Sequence, residues 1–225
     1  MIFPYLAIAV FIIGHLYRYA ADPYGWTAKS SELLEKEKLK WGSQLFHWGM
    51  VFVLLGHVGG LLVPIQAYQA LGVGAEAYHF MAVTVGGLSG AAVLAGLLIL
   101  AFRRFAVRRI REISSTGDLV AVGLLIVVAG LGIFNTIGYN LLVGSYEYRL
   151  SVGPWLRSLL AFSPSAGLME RVPLPFKLHI LAAFGLVGLW PFTRLVHVWS
   201  IPLEYLGRVP ILFRTHNPKR AEGVN

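Results

Sequence analysis

The run QLFHWGMVFVLLGHVGGLLV, residues 44–63, decides the fold. It contains no Lys, Arg, Asp or Glu, and at about 1.5 Å per residue a helix of this length crosses a hydrocarbon layer roughly 30 Å thick. His47 and His57 are its only ionisable groups. An ionisable side chain at membrane depth is costly and usually faces the bundle interior in a functional role. The stretch therefore predicts a transmembrane helix and a site built into it.

Working outward, residues 2–19, 79–102, 118–139 and 176–199 are apolar runs of similar length. None shows the short alternating pattern of a membrane strand. The expected fold is an all-α integral membrane protein, a five-helix transmembrane bundle. Only 13% of the 225 residues are charged, about half the fraction usual in soluble domains. No Lys or Arg precedes the first run, and Arg18 lies at its far end, so it is expected to stay as a helix rather than act as a signal peptide.

The basic residues set an orientation. Arg18, four lysines of the first connection (Lys29, Lys36, Lys38, Lys40), five arginines of the third (Arg103, Arg104, Arg108, Arg109, Arg111) and Arg194, Arg208, Arg214, Lys219 and Arg220 place fifteen positive charges on one side. Arg149, Arg157, Arg171 and Lys177 lie on the other. The positive-inside rule puts the N-terminus outside and the C-terminus in the cytoplasm, as a multi-pass protein of the cytoplasmic (inner) membrane. The net charge of +8 then reads as orientation, with lipid and not nucleic acid as the partner. The first connection, with Glu32, Glu35 and Glu37 among its lysines, reads as a charged surface helix closed by Trp41. The fourth carries Trp155, Leu156, Leu159, Leu160 and Phe162 at helical spacing and is expected to lie along the outer interface. Residues 1–201 form the membrane domain. Residues 202–225 form a polar, basic cytoplasmic tail, either a contact for a soluble partner or a solvated end.

Four of the seven histidines lie inside spans: His47 and His57 on the second, His179 and His197 on the fifth. Because these helices run antiparallel, His47 pairs in depth with His197 near the cytoplasm, and His57 with His179 near the outer face. Each pair offers two imidazoles across a gap, as a bis-histidine haem requires. Ten residues rise about 15 Å and eighteen about 27 Å, so the pairs are level only with tilt or a bend at Pro191. Gly49, Gly56, Gly59, Gly60, Gly185 and Gly188 would admit a macrocycle or, equally, allow close helix packing. The chain has no cysteine, which excludes iron–sulfur clusters, cysteine-held zinc and covalent c-type haem. The rival reading is a haem-free anchor or transporter with histidine proton relays. His15 reads as an interfacial polar group, His79 as an interface residue able to take a proton at the outer surface, and His216 as a tail residue without a role. Arg194 and Arg111 are candidates to meet haem propionates or, as readily, positive-inside anchors.

The motifs RYA (18–20), GWTAKSSELL (25–34), LFH (45–47), GH (56–57), GGLSG (86–90), STGD (115–118), LH (178–179) and PFTRLVHVWSIPLEYL (191–206) together resemble the gamma subunit of respiratory nitrate reductase over nearly the whole chain. The resemblance implies two b haems, a proximal one on His47 and His197 and a distal one on His57 and His179. It also implies quinol oxidation beside the distal haem, with electrons passing to a cytoplasmic iron–sulfur subunit and a molybdenum catalytic subunit that reduces nitrate. The family often has a lysine at the start of the third helix near the quinol. Here Tyr78 and His79 stand there, with no Lys or Arg between Trp41 and Phe102, and they are the quinol-site candidates. A gamma-like membrane cytochrome b of a sulfur-compound or heterodisulfide reductase is the alternative within electron transfer.

Overall fold

The structure, a computed structural model, describes residues 2–22, 26 and 31–200. The tail from residue 202, with His216, lies outside them, as does Lys29. Nine α-helices follow in order among these residues: α1 (Ile2–Ala21), α2 (Glu37–His57), α3 (Ile65–Ala70), α4 (Ala75–Ala106), α5 (Arg108–Glu112), α6 (Thr116–Ile133), α7 (Tyr139–Leu142), α8 (Val152–Leu160) and α9 (Leu174–Leu189). Five helical segments among the described residues are long and apolar enough to cross a membrane: Ile2–Ala21, Glu37–Leu62, Ala75–Ala106, Thr116–Leu142 and Leu174–Phe192. The second and fourth are extended by π-helical turns, Val58–Leu62 and Phe134–Gly138. Leu6, Ile13, Phe52 and Leu88 are exposed, as expected where the solvent is hydrocarbon.

Long helices pack in the order α2, α4, α6, α9, α1. The hairpin of α2 and α4 is the tightest contact because small residues line it. A Cβ on Gly96 would meet the Phe46 amide at 2.5 Å and the Gly42 carbonyl at 2.7 Å, and one on Gly49 would meet the Ser89 carbonyl at 2.9 Å. The core of the bundle is Val93 and Leu97 of α4, Leu125 of α6 and Leu186 of α9, closed on the α2 side by Phe46, Met50 and Val53.

The end of the bundle carrying the arginines is organised by ion pairs. Buried Arg103, near the end of α4, contacts Glu35 Oε2 at 2.7 Å and also bonds Ser31 Oγ and the Ser31 and Glu35 carbonyls. The other Glu35 oxygen accepts the Lys38 amide, capping the start of α2. These bonds, that of the Lys38 amide foremost, hold the Glu35 carboxyl below its usual pKa. The expected separate charged helix in the first connection is therefore not found among the described residues. Ser31–Lys36 form a turn and a short irregular stretch around Arg103, while Glu37, Lys38 and Lys40 belong to the first turns of α2 itself. Ser115 and Asp118 form a capping box at the start of α6, with the buried Asp118 carboxylate also paired to Arg104 at 3.3 Å and to Arg194.

At the opposite end, α8 buries Val152, Trp155 and Leu159 against Tyr5 and Ile8 of α1, Leu61, and Phe176, Ile180 and Phe184 of α9. The fourth connection thus covers that end of the bundle, with Leu160 and Phe162 exposed.

The fifth span departs from expectation. Its apolar length predicts one helix to residue 199 with His179 and His197 on one face. Instead α9 ends at Leu189, a 3-10 turn covers Trp190–Phe192, Thr193 is extended at φ −121° and ψ 177°, and a second 3-10 segment spans Arg194–Ser200. Pro191 has no amide hydrogen to continue the ladder. The freed carbonyls of Pro191 and Thr193 accept Nη1 of Arg18 at 2.8 and 3.1 Å, and Thr193 Oγ1 accepts the Leu195 amide. A Cβ on Gly14 of α1 would meet the Pro191 ring at 2.8 Å, so α1 seats the break. His197 consequently stands beyond the break, on the second 3-10 segment and not on a face of α9.

Candidate functional site

The structure brings the four span histidines together in two pairs. His57 and His179 have ring centroids 6.1 Å apart at 29°, and His47 and His197 have theirs 6.2 Å apart at 74°. Neither separation is ring contact, and α2 is not packed to any extent on α9 or on the Arg194–Ser200 segment, so each pair spans a gap.

Every one of the four rings is oriented through Nδ1. His47 bonds the Ser43 carbonyl at 2.7 Å and His57 the Val53 carbonyl at 2.7 Å, each one turn back on α2. His179 reaches across to the Val128 carbonyl of α6 at 3.0 Å, and His197 bonds the Arg194 carbonyl at 2.6 Å. A carbonyl only accepts, so Nδ1 carries the proton and Nε2 keeps its lone pair. Among the described residues nothing hydrogen-bonds any of these four Nε2 atoms. His15 differs. Its Nδ1 meets the Phe11 carbonyl at 2.6 Å and its Nε2 accepts the Trp199 indole N–H at 3.1 Å, leaving no nitrogen for a ligand.

Glycines that the sequence leaves ambiguous separate cleanly. Gly49 serves helix packing, and Gly188 faces Ala7 of α1. Gly59 and Gly60 lie under the hydroxyls of Tyr68, Tyr148 and Tyr78. A Cβ on Gly56 or Gly185 would meet nothing within 4 Å, so open space adjoins both. Gly132 of α6 carries no signal in the sequence that would single it out. Its Cβ would lie 3.2 Å from Cε1 of His179, and it stands one turn beyond the Val128 carbonyl that orients that ring.

Tyr78 and His79 begin α4 near the His57 end. Tyr78 is buried, its hydroxyl 3.0 Å from that of Tyr148 and its ring 3.6 Å beneath the Arg149 guanidinium. Arg149 is itself buried and bound through two nitrogens to Glu147 at 2.7 and 2.6 Å. That contact lowers the Glu147 carboxyl pKa, with His79 a smaller contributor, and raises that of Arg149, while burial raises the Tyr148 phenol. Arg157 donates to the Leu61 carbonyl at 2.7 Å, one of the carbonyls of the π turn. A cavity of about 250 Å³ opens beside Arg149 and Arg157, with Gln66, Gln69 and Pro154 in its wall. The pattern of the sequence points to Tyr78 and His79 but not to Arg149 or Tyr148, which come from the fourth connection. Of the two propionate candidates, Arg194 is paired with Asp118, and Arg111 is exposed.

Two lone pairs facing each other can share one metal ion. Among the described residues no group of three or more His, Asp or Glu gathers to hold a metal, so each pair could offer an ion two donors and no more.

The family model for the nitrate reductase gamma subunit matches residues 1–216. The chain belongs to the nitrate reductase gamma subunit family. It is 48% identical over 213 residues to the nitrate reductase gamma chain of Bacillus subtilis, covering 95% of each chain. It is 34% identical over 217 residues to the respiratory nitrate reductase 1 gamma chain of Escherichia coli, covering 96% of each. A more distant match, 26% over 159 residues, is the Hdr-like menaquinol oxidoreductase cytochrome b-like subunit of Archaeoglobus fulgidus, with 70% of this chain and 46% of the other aligned. This gamma subunit is thus a membrane subunit of a nitrate reductase complex, an oxidoreductase with further subunits, and a multi-pass inner-membrane protein. Haem and cytochrome b are typical of its family.

Proposed function

We propose that this gamma subunit is the dihaem b subunit of its complex, oxidising quinol near the outer face and passing the electrons to a cytoplasmic iron–sulfur subunit and on to a molybdenum catalytic subunit. The observation that carries the reading is the spacing of the histidine pairs. Imidazoles bound to one metal at about 2.0 Å per bond hold their ring centroids roughly 6.3 Å apart, and the two pairs stand at 6.1 and 6.2 Å. The free Nε2 atoms and the open space at Gly56 and Gly185 fit a planar macrocycle. His47 and His197 would hold the proximal haem, and His57 and His179 the distal one. Haem b supplies one-electron chemistry, which lets a two-electron donor be oxidised in single steps.

The chain's own residues do the rest. The Nδ1 bonds fix tautomer and ring angle, and α8 shields the distal end from water. The concentration of arginine and lysine at the His47 end, read by the positive-inside rule, puts that end in the cytoplasm. Quinol protons then leave on the outer side while electrons cross inward, each charge working against about 2.3 kcal/mol per 100 mV of potential. His79, with Glu147 nearby, is the polar group placed to take such a proton, and Tyr78 holds the Arg149 guanidinium over the start of α4.

A reduced-minus-oxidised spectrum of the purified complex tests the reading and is expected to give two b haems for each copy of this chain. No haem absorbance would defeat it. Replacing Tyr78 and His79 together by Phe is expected to slow quinol oxidation about tenfold, the equivalent of one lost hydrogen bond, with haem content intact. Unchanged quinol oxidation and inhibitor binding would remove both residues from the quinol site. Gly132→Leu is expected to push His179 aside and cost the distal haem, whereas Gly123→Leu on the same helix, where a Cβ meets nothing within 4 Å, leaves both haems. Equal haem content in the two variants would mean that Gly132 is not needed to seat His179. The second reading, a cytochrome b subunit of a heterodisulfide-reductase-like complex, is favoured by the Archaeoglobus match alone, which covers less of both chains. Partner masses in the purified complex separate the two.

A further inference from the structure

We propose that Asp118 is a positioning residue for His197, acting through Arg194; the inference rests on reading His197 as a haem ligand. Three of the histidines take their Nδ1 bond from a carbonyl inside a regular helix: Ser43 and Val53 on α2, Val128 on α6. The acceptor for His197 is different. Arg194 heads a 3-10 segment directly after the break at Thr193, where no α-helical ladder holds its carbonyl in place. Its carbonyl receives the His197 Nδ1–H at 2.6 Å, and its side chain is ion-paired to Oδ1 of Asp118. The Asp118 side chain is 1% exposed and stands in the first turn of α6. Gly117 beside it faces the Phe192 carbonyl, with a Cβ there coming to 3.4 Å. The start of α6 thus abuts the break, and Asp118 ties the segment bearing the ligand to that fixed point.

A helix cap alone does not account for this carboxylate. The Ser115 amide uses Oδ2, and a cap needs no more than one oxygen at the surface. Asp118 is instead buried between two guanidiniums, with Arg104 at 3.3 Å on Oδ2, an arrangement that is costly unless every partner is in place. The Nδ1–H bond of an axial histidine raises its basicity as a ligand. A carboxylate nearby favours the more positive, oxidised iron.

Both effects have one sign in Asp118→Asn, studied in the intact complex. The haem lost in His197→Ala is expected to show a raised midpoint potential and a shifted low-spin EPR signal, the other haem is unchanged, and two haems remain. Asp118→Glu is expected to restore both readouts. Arg194→Gln, which leaves the cap intact, should shift the same haem, whereas Ser115→Ala, which removes the cap and leaves the ion pair, should not. Potentials and EPR signals unchanged in Asp118→Asn with both haems bound overturn the inference and leave Asp118 a helix cap. A shift in the distal haem, or a shift in Ser115→Ala equal to that in Asp118→Asn, overturns it too. Should Asp118→Asn fail to accumulate, the other two variants decide: a shift in Arg194→Gln alone supports the inference, and equal potentials in Arg194→Gln and Ser115→Ala overturn it. An unaltered complex without haem would instead defeat the reading of the histidines themselves.

Discussion

His57→Ala and His179→Ala are each expected to lose one b haem, and the same one, while His47→Ala and His197→Ala lose the other. With no cysteine in the chain, nothing attaches the group covalently, so retention depends on the axial bonds and on burial. Losing one of two ligands from a cleft whose α2 histidine is already exposed leaves a single bond on one side. Haem content should fall from two to one per chain, and electron transfer from quinol to nitrate should fall to background in all four variants. The pairing is what the experiment judges. If His57→Ala and His179→Ala removed spectroscopically different haems, the 6.1 Å approach of their rings would have no functional meaning.

Arg18→Leu is expected to have the next largest effect, and at a distance. Arg18 lies on α1 and, among the described residues, hydrogen-bonds none of the four histidines, but its guanidinium binds the Pro191 and Thr193 carbonyls at 2.8 and 3.1 Å. Hydrogen bonds to a charged group contribute about 1.5–3 kcal/mol each, and here they hold the break that precedes the segment carrying His197. Without them the proximal haem should be lost or bound at reduced occupancy and the distal one kept. Arg18→Lys, which keeps the charge but loses the planar fork, should fall between. Full occupancy of both haems in Arg18→Leu would show that Gly14 and Pro191 seat the break unaided.

Much of this is legible in the sequence because it depends on periodicity and depth. Five spans follow from apolar length, and the histidine pairing follows from antiparallel helices, although the ten and eighteen residues between the histidines do not match in rise. The break after Leu189 is not legible there. Pro191 announces only that a helix must yield; where the chain turns depends on Gly14, Arg18 and Asp118, which lie far from it in sequence. The first connection misleads for a related reason. Alternating Glu and Lys reads as a surface helix, but Arg103, about 70 residues on, draws Ser31 and Glu35 around itself. In the same way, Tyr78 is visible at the head of a span, whereas its partners Tyr148 and Arg149 lie in the fourth connection ahead of its helical pattern.

The core between the two histidine pairs has a consequence of its own. Val93, Leu97, Leu125 and Leu186, closed by Met50 and Val53, present hydrocarbon and thioether, with no hydroxyl, carboxylate or imidazole on which a proton could hop. On the proposed reading, such side chains would let an electron tunnel while offering a proton no group of their own to ride on. The same side chains that fold the bundle would then act as the insulator of a charged capacitor, and each quinol oxidised as proposed would leave its protons on the far side of the membrane.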